Sequence, residues 1–142
     1  MKKSILIFTL LMASVASAEQ PSDNKKNSYT GTYAMDLGSG AGGMLKIIQG
    51  PDNKIKFDLD CSRGAPSYNT GTAQGTIKIK DKTAIYRSTE FDGICEIKFT
   101  FLNDEVYVSQ TGSDTDCGFG YGVSCDGKYN LKSRKQPKLS DQ

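Results

Sequence analysis

The 142-residue chain contains no histidine and no tryptophan. The lack of histidine excludes Ser-His-Asp and Cys-His nucleophile systems, imidazole acid/base catalysis and imidazole-ligated metals. An enzyme made from this sequence would need paired carboxylates, a Ser-Lys dyad or a metal held by carboxylates alone. Long apolar runs are missing too. The longest, Ile5 to about Val15, is about half the roughly 20 residues that a membrane-spanning helix needs. It follows Lys2 and Lys3 and precedes Ala16-Ser17-Ala18, small residues where a signal peptidase cuts, so residues 1–18 read as a secretory signal peptide of bacterial type. No cysteine lies near the cut to take a lipid. The expected product is exported to the periplasm or secreted, with no membrane insertion.

An excess of one charge is also absent. The formal net charge of +2 rests on Lys2 and Lys3, so the chain from Glu19 onward is near neutral. Neutrality with interspersed charges gives no electrostatic case for nucleic acid or another polyanion. Lys128, Lys132, Arg134, Lys135 and Lys138 make the end locally basic, and a solvated last strand with a frayed end accounts for them.

What is present is alternation. Residues 19–28 are polar and form a flexible lead-in, but from Tyr29 the apolar residues recur at period two and no segment shows a helical period. Tyr33, Met35 and Leu37 share one face, as do Leu45 and Ile47, and Ile55, Phe57, Leu59 and Cys61. Hairpins are expected about Asp81-Lys82 and Asn103-Asp104. The second places Phe101 opposite Val106, Phe99 opposite Val108 and Ile97 opposite Gln110, and a one-residue slip would destroy that agreement. Tyr129 and Leu131 point inward from a last strand. The expected fold is all-β, a small antiparallel β-barrel or tight β-sandwich of about eight strands. One domain spans residues 29–134, with a C-terminal tail at 135–142.

Several motifs match chemistry in letters only. Gly38, Gly40 and Gly43 satisfy G-x-G-x-x-G, yet a strand follows instead of the helix that would bind a pyrophosphate, so the segment reads as a turn between the first two strands. Ser22 and Lys25 satisfy S-x-x-K within the flexible lead-in. Asp114, Asp116 and Gly118 resemble a calcium loop without its third acidic ligand or terminal glutamate. Glu90, Asp92, Asp104 and Glu105 read as solvated turn carboxylates rather than a glycosidase pair. No catalytic residue, cofactor or metal is therefore expected. Most aromatics face inward by parity; Tyr68 and Tyr121, in loops, are the exceptions.

Four cysteines in an exported chain read as two disulfides. Zinc is the competing reading, against which stand the Cys117 to Cys125 spacing and the missing histidine. Cys95 begins a strand whose partner ends near Gln110, so a returning loop brings Cys117 toward it, while Cys61 and Cys125 both belong to inward-facing sets. Cys95 with Cys117 and Cys61 with Cys125 is the favoured pairing, and a local Cys117 to Cys125 bridge is the alternative. In "CGFGYGVSC" the glycines permit tight turning, and Phe119 and Val123 are placed to plug the barrel end. The segment reads as a staple before it reads as a site.

From Cys95 to Tyr129, "CEIKFTF", "VYVSQTG" and "CGFGYGVSCDGKY" resemble a group of small exported bacterial proteins of unknown function with a C-G-F-G-x-x-V-x-x-x-G-x-Y ending. In size, signal peptide, disulfides and strand meander the chain is also similar to periplasmic lysozyme inhibitors, compact β-barrels that insert a loop into the lysozyme cleft. That likeness implies a non-enzymatic binding protein whose partner is a cell-wall hydrolase. The expected contact residues lie at loop ends: Ser39, Tyr68, Asn69, Ser113, Asp114, Asp116, Phe119 and Tyr121. A lipocalin-like carrier of a small apolar ligand is the alternative, disfavoured by the bulk of inward Phe57, Tyr86, Phe99, Phe101 and Tyr129.

Overall fold

The computed structural model describes residues 28–140. The signal peptide and nearly all of the lead-in lie outside those residues. Eight strands follow one another: β1 (Gly31–Gly38), β2 (Ala41–Gln49), β3 (Lys54–Arg63), β4 (Thr70–Lys78), β5 (Thr83–Ser88), β6 (Cys95–Phe101), β7 (Glu105–Thr111) and β8 (Gly127–Ser133). A single 3-10 turn, Thr115–Cys117, interrupts the connection between β7 and β8.

The strands form one antiparallel sheet in the order β4-β3-β2-β1-β8-β7-β6-β5. This is an up-and-down meander that closes through its own terminal strands, β1 pairing with β8. The barrel is nearly complete. Its seam falls in the middle of the chain, between β4 and β5, which leave the turn at Asp81-Lys82 without laddering. At that seam the Tyr86 ring presses on Gly75, its Cε2 3.2 Å from where a Cβ would stand, and meets Phe57 edge-on at 5.4 Å. A side chain thus fills the gap that backbone pairing leaves.

The hairpin about Asn103-Asp104 has the expected register, whereas the one expected about Asp81-Lys82 stops at the single bridge between Lys80 and Thr83, because β4 and β5 part at the seam. Phe101 pairs with Val106, Phe99 with Val108 and Ile97 with Gln110. The inward set is Tyr33, Leu45, Ile47, Phe57, Leu59, Ile97, Phe99, Phe101, Val106 and Tyr129, none of them accessible to solvent. Burying one such side chain contributes about 1.5–3 kcal/mol, so this set supplies the main driving force for closure. The interior is packed with rings.

Three expectations need correction. Leu37 is 69 % exposed instead of inward, because a register shift between Asp36 and Gly38 turns it out of the alternation. The glycine-rich turn is only Ser39-Gly40, since Gly42 and Gly43 already belong to β2. Gly43 is there for space: a Cβ would stand 2.5 Å from the Tyr129 hydroxyl. The tail as far as Ser140 is not frayed. Ser140 donates its backbone N–H to Asp58 Oδ2 at 2.6 Å, so the tail leaves β8, passes β1 and β2 and reaches the outer side of β3. Asp58 faces outward by alternation yet is only 4 % exposed under it.

Candidate functional site

Alternating strand direction sorts the connections into two ends. One end carries the tight turns at 50–53, 79–82 and 102–104 together with Ser28 and the exit from β8; the other carries Ser39-Gly40 and the longer loops 64–69, 89–94 and 112–126. Every residue expected at a contact surface lies at this second end. The loops there hold one another.

The 112–126 loop is the centre of that assembly. Disulfide Cys61–Cys125 ties it to β3, and Cys95–Cys117 ties it to the start of β6, which is the favoured pairing. Asp114 accepts from the Thr115 N–H with one oxygen and from the Gly122 N–H with the other. Asp116 accepts from the Ser113 N–H at 2.7 Å, and the Ser113 hydroxyl meets that of Thr115 at 2.9 Å. These side chains therefore shape the loop, as capping residues do. Phe119, expected at the contact surface, is buried at 5 % exposure, its ring pressed on Gly71 of β4. It is a plug, because a ring this apolar gains more from the space left by a missing Cβ than from solvent. Val123 is buried beside it in the same core.

Neighbouring loops dock on this centre. The Gly120 N–H donates to the Thr70 carbonyl at 2.9 Å, and Asn69 Nδ2 donates to the Tyr121 carbonyl at 2.8 Å. On the other flank Phe91 covers Gly118, whose φ of 67° already requires glycine. Below, the buried Tyr129 hydroxyl donates to the Cys125 carbonyl at 3.0 Å and lies 3.5 Å from Cys61 Sγ. Burial, helped by the Asp126 charge, holds that phenol well above the usual tyrosine range, so it stays a donor.

What this end presents is apolar. Among the described residues nine large hydrophobic side chains are exposed, and five of them, Leu37, Tyr68, Phe91, Ile94 and Tyr121, stand here. Tyr121, 79 % exposed, has the Arg63 guanidinium 5.8 Å from its ring centroid. Arg63 also donates to the Tyr121 carbonyl and takes part in none of the three ion pairs among the described residues. Tyr68 and Tyr121 are placed as expected, and Ser39 sits in the adjoining turn, where its carbonyl accepts from the Ala65 N–H.

Sequence reading missed Arg63, Phe91, Ile94 and Leu37. Phe91 and Ile94 bracket Asp92-Gly93, and apolar residues inside a turn signal could have marked them. Leu37 and Arg63 carry no such mark, because a bulge and a loop contact decide their positions. No group of three or more metal-ligating side chains occurs among the described residues, nor any helix long and apolar enough to cross a membrane. Compared with family models, curated proteins and solved structures, the chain matches none.

Proposed function

We propose that this chain is an exported bacterial binding protein without catalytic activity that engages another protein through its long-loop end. The carrying observation is the set of five exposed hydrophobic side chains at the end of the barrel where two disulfides fix the 112–126 loop. A rigid apolar surface loses little conformational entropy on binding, and aromatic and arginine side chains are the usual energetic centres of protein interfaces. Tyr121, stacked with Arg63 and pinned by Asn69, has that composition. An interior filled by Phe57, Phe99, Phe101, Tyr33 and Tyr129 works against the carrier alternative.

The concrete form of the reading is inhibition of a wall-degrading enzyme. Support comes from barrel size and loop presentation: a braced tip can enter an enzyme cleft without folding on contact. The test uses oxidised residues 19–142 against c-, g- and i-type lysozymes on cell-wall suspensions. Stoichiometric inhibition of one class, weakened at least tenfold by Tyr121→Ala or Arg63→Ala, is the expected result. Absence of inhibition in all classes overturns the enzyme-inhibitor form.

A further inference from the structure

On the outer wall, next to the long-loop end, a groove of about 430 Å³ crosses β2, β3 and β4. It exists because Gly42 stands opposite Ser62, leaving no side chain over β2 at that row. Gly42 is fixed there by a φ of 142° and by the Met35 carbonyl pressed where a Cβ would be. One wall is polar. Asp60 pairs with Thr72 and Ser62 with Thr70 across β3 and β4, and all four line the groove from the outward face. Cross-strand partners lie about 5 Å apart and alternate residues about 7 Å apart, so a carboxylate and three hydroxyls form a small rectangle. Asp60 is exposed and joins none of the ion pairs among the described residues. Outside the lining itself, the Tyr68 ring packs on the lining residue Gly40, with Cε1 3.0 Å from where a Cβ would stand, and is 60 % exposed.

We propose that this groove binds a neutral saccharide, a short oligosaccharide segment with adjacent free hydroxyls. The chemistry is complementary at each point. A carboxylate can accept from two neighbouring sugar hydroxyls, threonine and serine hydroxyls both donate and accept, and an aromatic ring covers the C–H face of a pyranose. Other ligand classes fit less well. An anion would meet Asp60, an apolar ligand would strip Asp60, Thr70 and Thr72 of water without replacing its hydrogen bonds, and a metal ion would find no cluster of three ligating side chains. The volume falls within the range of small-ligand sites, about 300–1,000 Å³. The groove lies on the barrel wall and needs no protein partner, so it stands or falls apart from the inhibitor reading.

The test is a titration of isotope-labelled, oxidised residues 19–142 with maltotetraose, cellotetraose, mannotetraose and chitotetraose, followed by amide chemical shifts. The expected result is saturable movement at 40–43, 60–62 and 70–72 with at least one of them, with a dissociation constant on the order of millimolar. Asp60→Asn and Thr72→Val should each weaken it about tenfold while the melting temperature holds. No saturable shift in the groove with any of the four overturns the proposal, as does a shift pattern that survives both substitutions unweakened.

Discussion

The two ends of this barrel are closed by different physics. At the end where the chain enters β1 and leaves β8, turns are short and polar contacts tie them together. Asp52, Asn53, Asp81 and Lys82 take positive φ angles suited to tight hairpins. Arg134 ties the remaining pieces, donating to the Ser28 carbonyl at 2.8 Å, the Tyr33 hydroxyl at 3.2 Å, the Asn103 carbonyl and the Asp104 carboxylate at 2.8 Å. At the opposite end long loops are fixed by covalent bonds, by Asp114 and by buried Phe119 and Val123. The bridges offset part of the entropy of ordering so long a loop by constraining the unfolded chain. The covalent end also carries five of the nine large hydrophobic side chains exposed among the described residues, which suits an end built to present a surface.

The largest break in this comparison should come from the disulfides. Cys61–Cys125 encloses 64 residues of sequence separation and Cys95–Cys117 encloses 22, so chain entropy assigns them about 4 and about 3 kcal/mol. Paired substitution of Cys61 and Cys125 by alanine should lower the melting temperature by more than about 10 °C. Hydrogen exchange should speed up first in residues 112–126 and last at the Arg134 end. Equal loosening of both ends would show that they are not separately stabilised.

A smaller effect should follow from Gly71→Ala. The added methyl would overlap the Phe119 ring, and overpacking of this kind costs about 1–3 kcal/mol. Partner binding through Tyr121 should weaken along with stability, since the displaced Phe119 carries the loop with it. Arg134→Ala is the matching change at the other end. Its ion pair with Asp104 is exposed and adds little, so the cost is that of its carbonyl and Tyr33 contacts, about 1–2 kcal/mol by thermal unfolding. Binding through the loop end should be unchanged. A loss of binding in Arg134→Ala would show that the ends communicate.

The wall of the barrel was legible in the sequence, while its ends were legible only in part. Alternation fixes which face is inward, and the pairing of Phe99 with Val108 follows from a two-residue turn, but the same rule at Asp81-Lys82 yields only one bridge, because closure of the barrel puts its seam there. Phe119 read both as a plug of the barrel end and as a contact residue, and only the plug holds, because its ring settles on the missing Cβ of Gly71, far away in sequence. Leu37 escaped parity through a bulge. The bond from Ser140 to Asp58 connects residues separated by 82 positions, and no periodicity encodes a contact of that kind.

The finest distinction between the ends concerns two tyrosines. Tyr129 lies under the disulfide end, where burial raises its phenol and the Asp126 charge pushes the same way; Tyr33 lies near Arg134, where burial raises it and the guanidinium partly offsets the rise. Both pKa values are higher folded than unfolded, so above about pH 10 the unfolded chain releases protons that the folded one keeps. Stability should therefore fall as pH rises through 10 and beyond, and the fall should owe more to Tyr129. Melting temperatures between about pH 9 and 11 would measure it. Tyr129→Phe loses the bond to the Cys125 carbonyl and should start slightly lower, but its alkaline slope should be flatter than that of the parent and flatter than that of Tyr33→Phe. Identical slopes in all three would remove the electrostatic difference between the ends while leaving the covalent one in place.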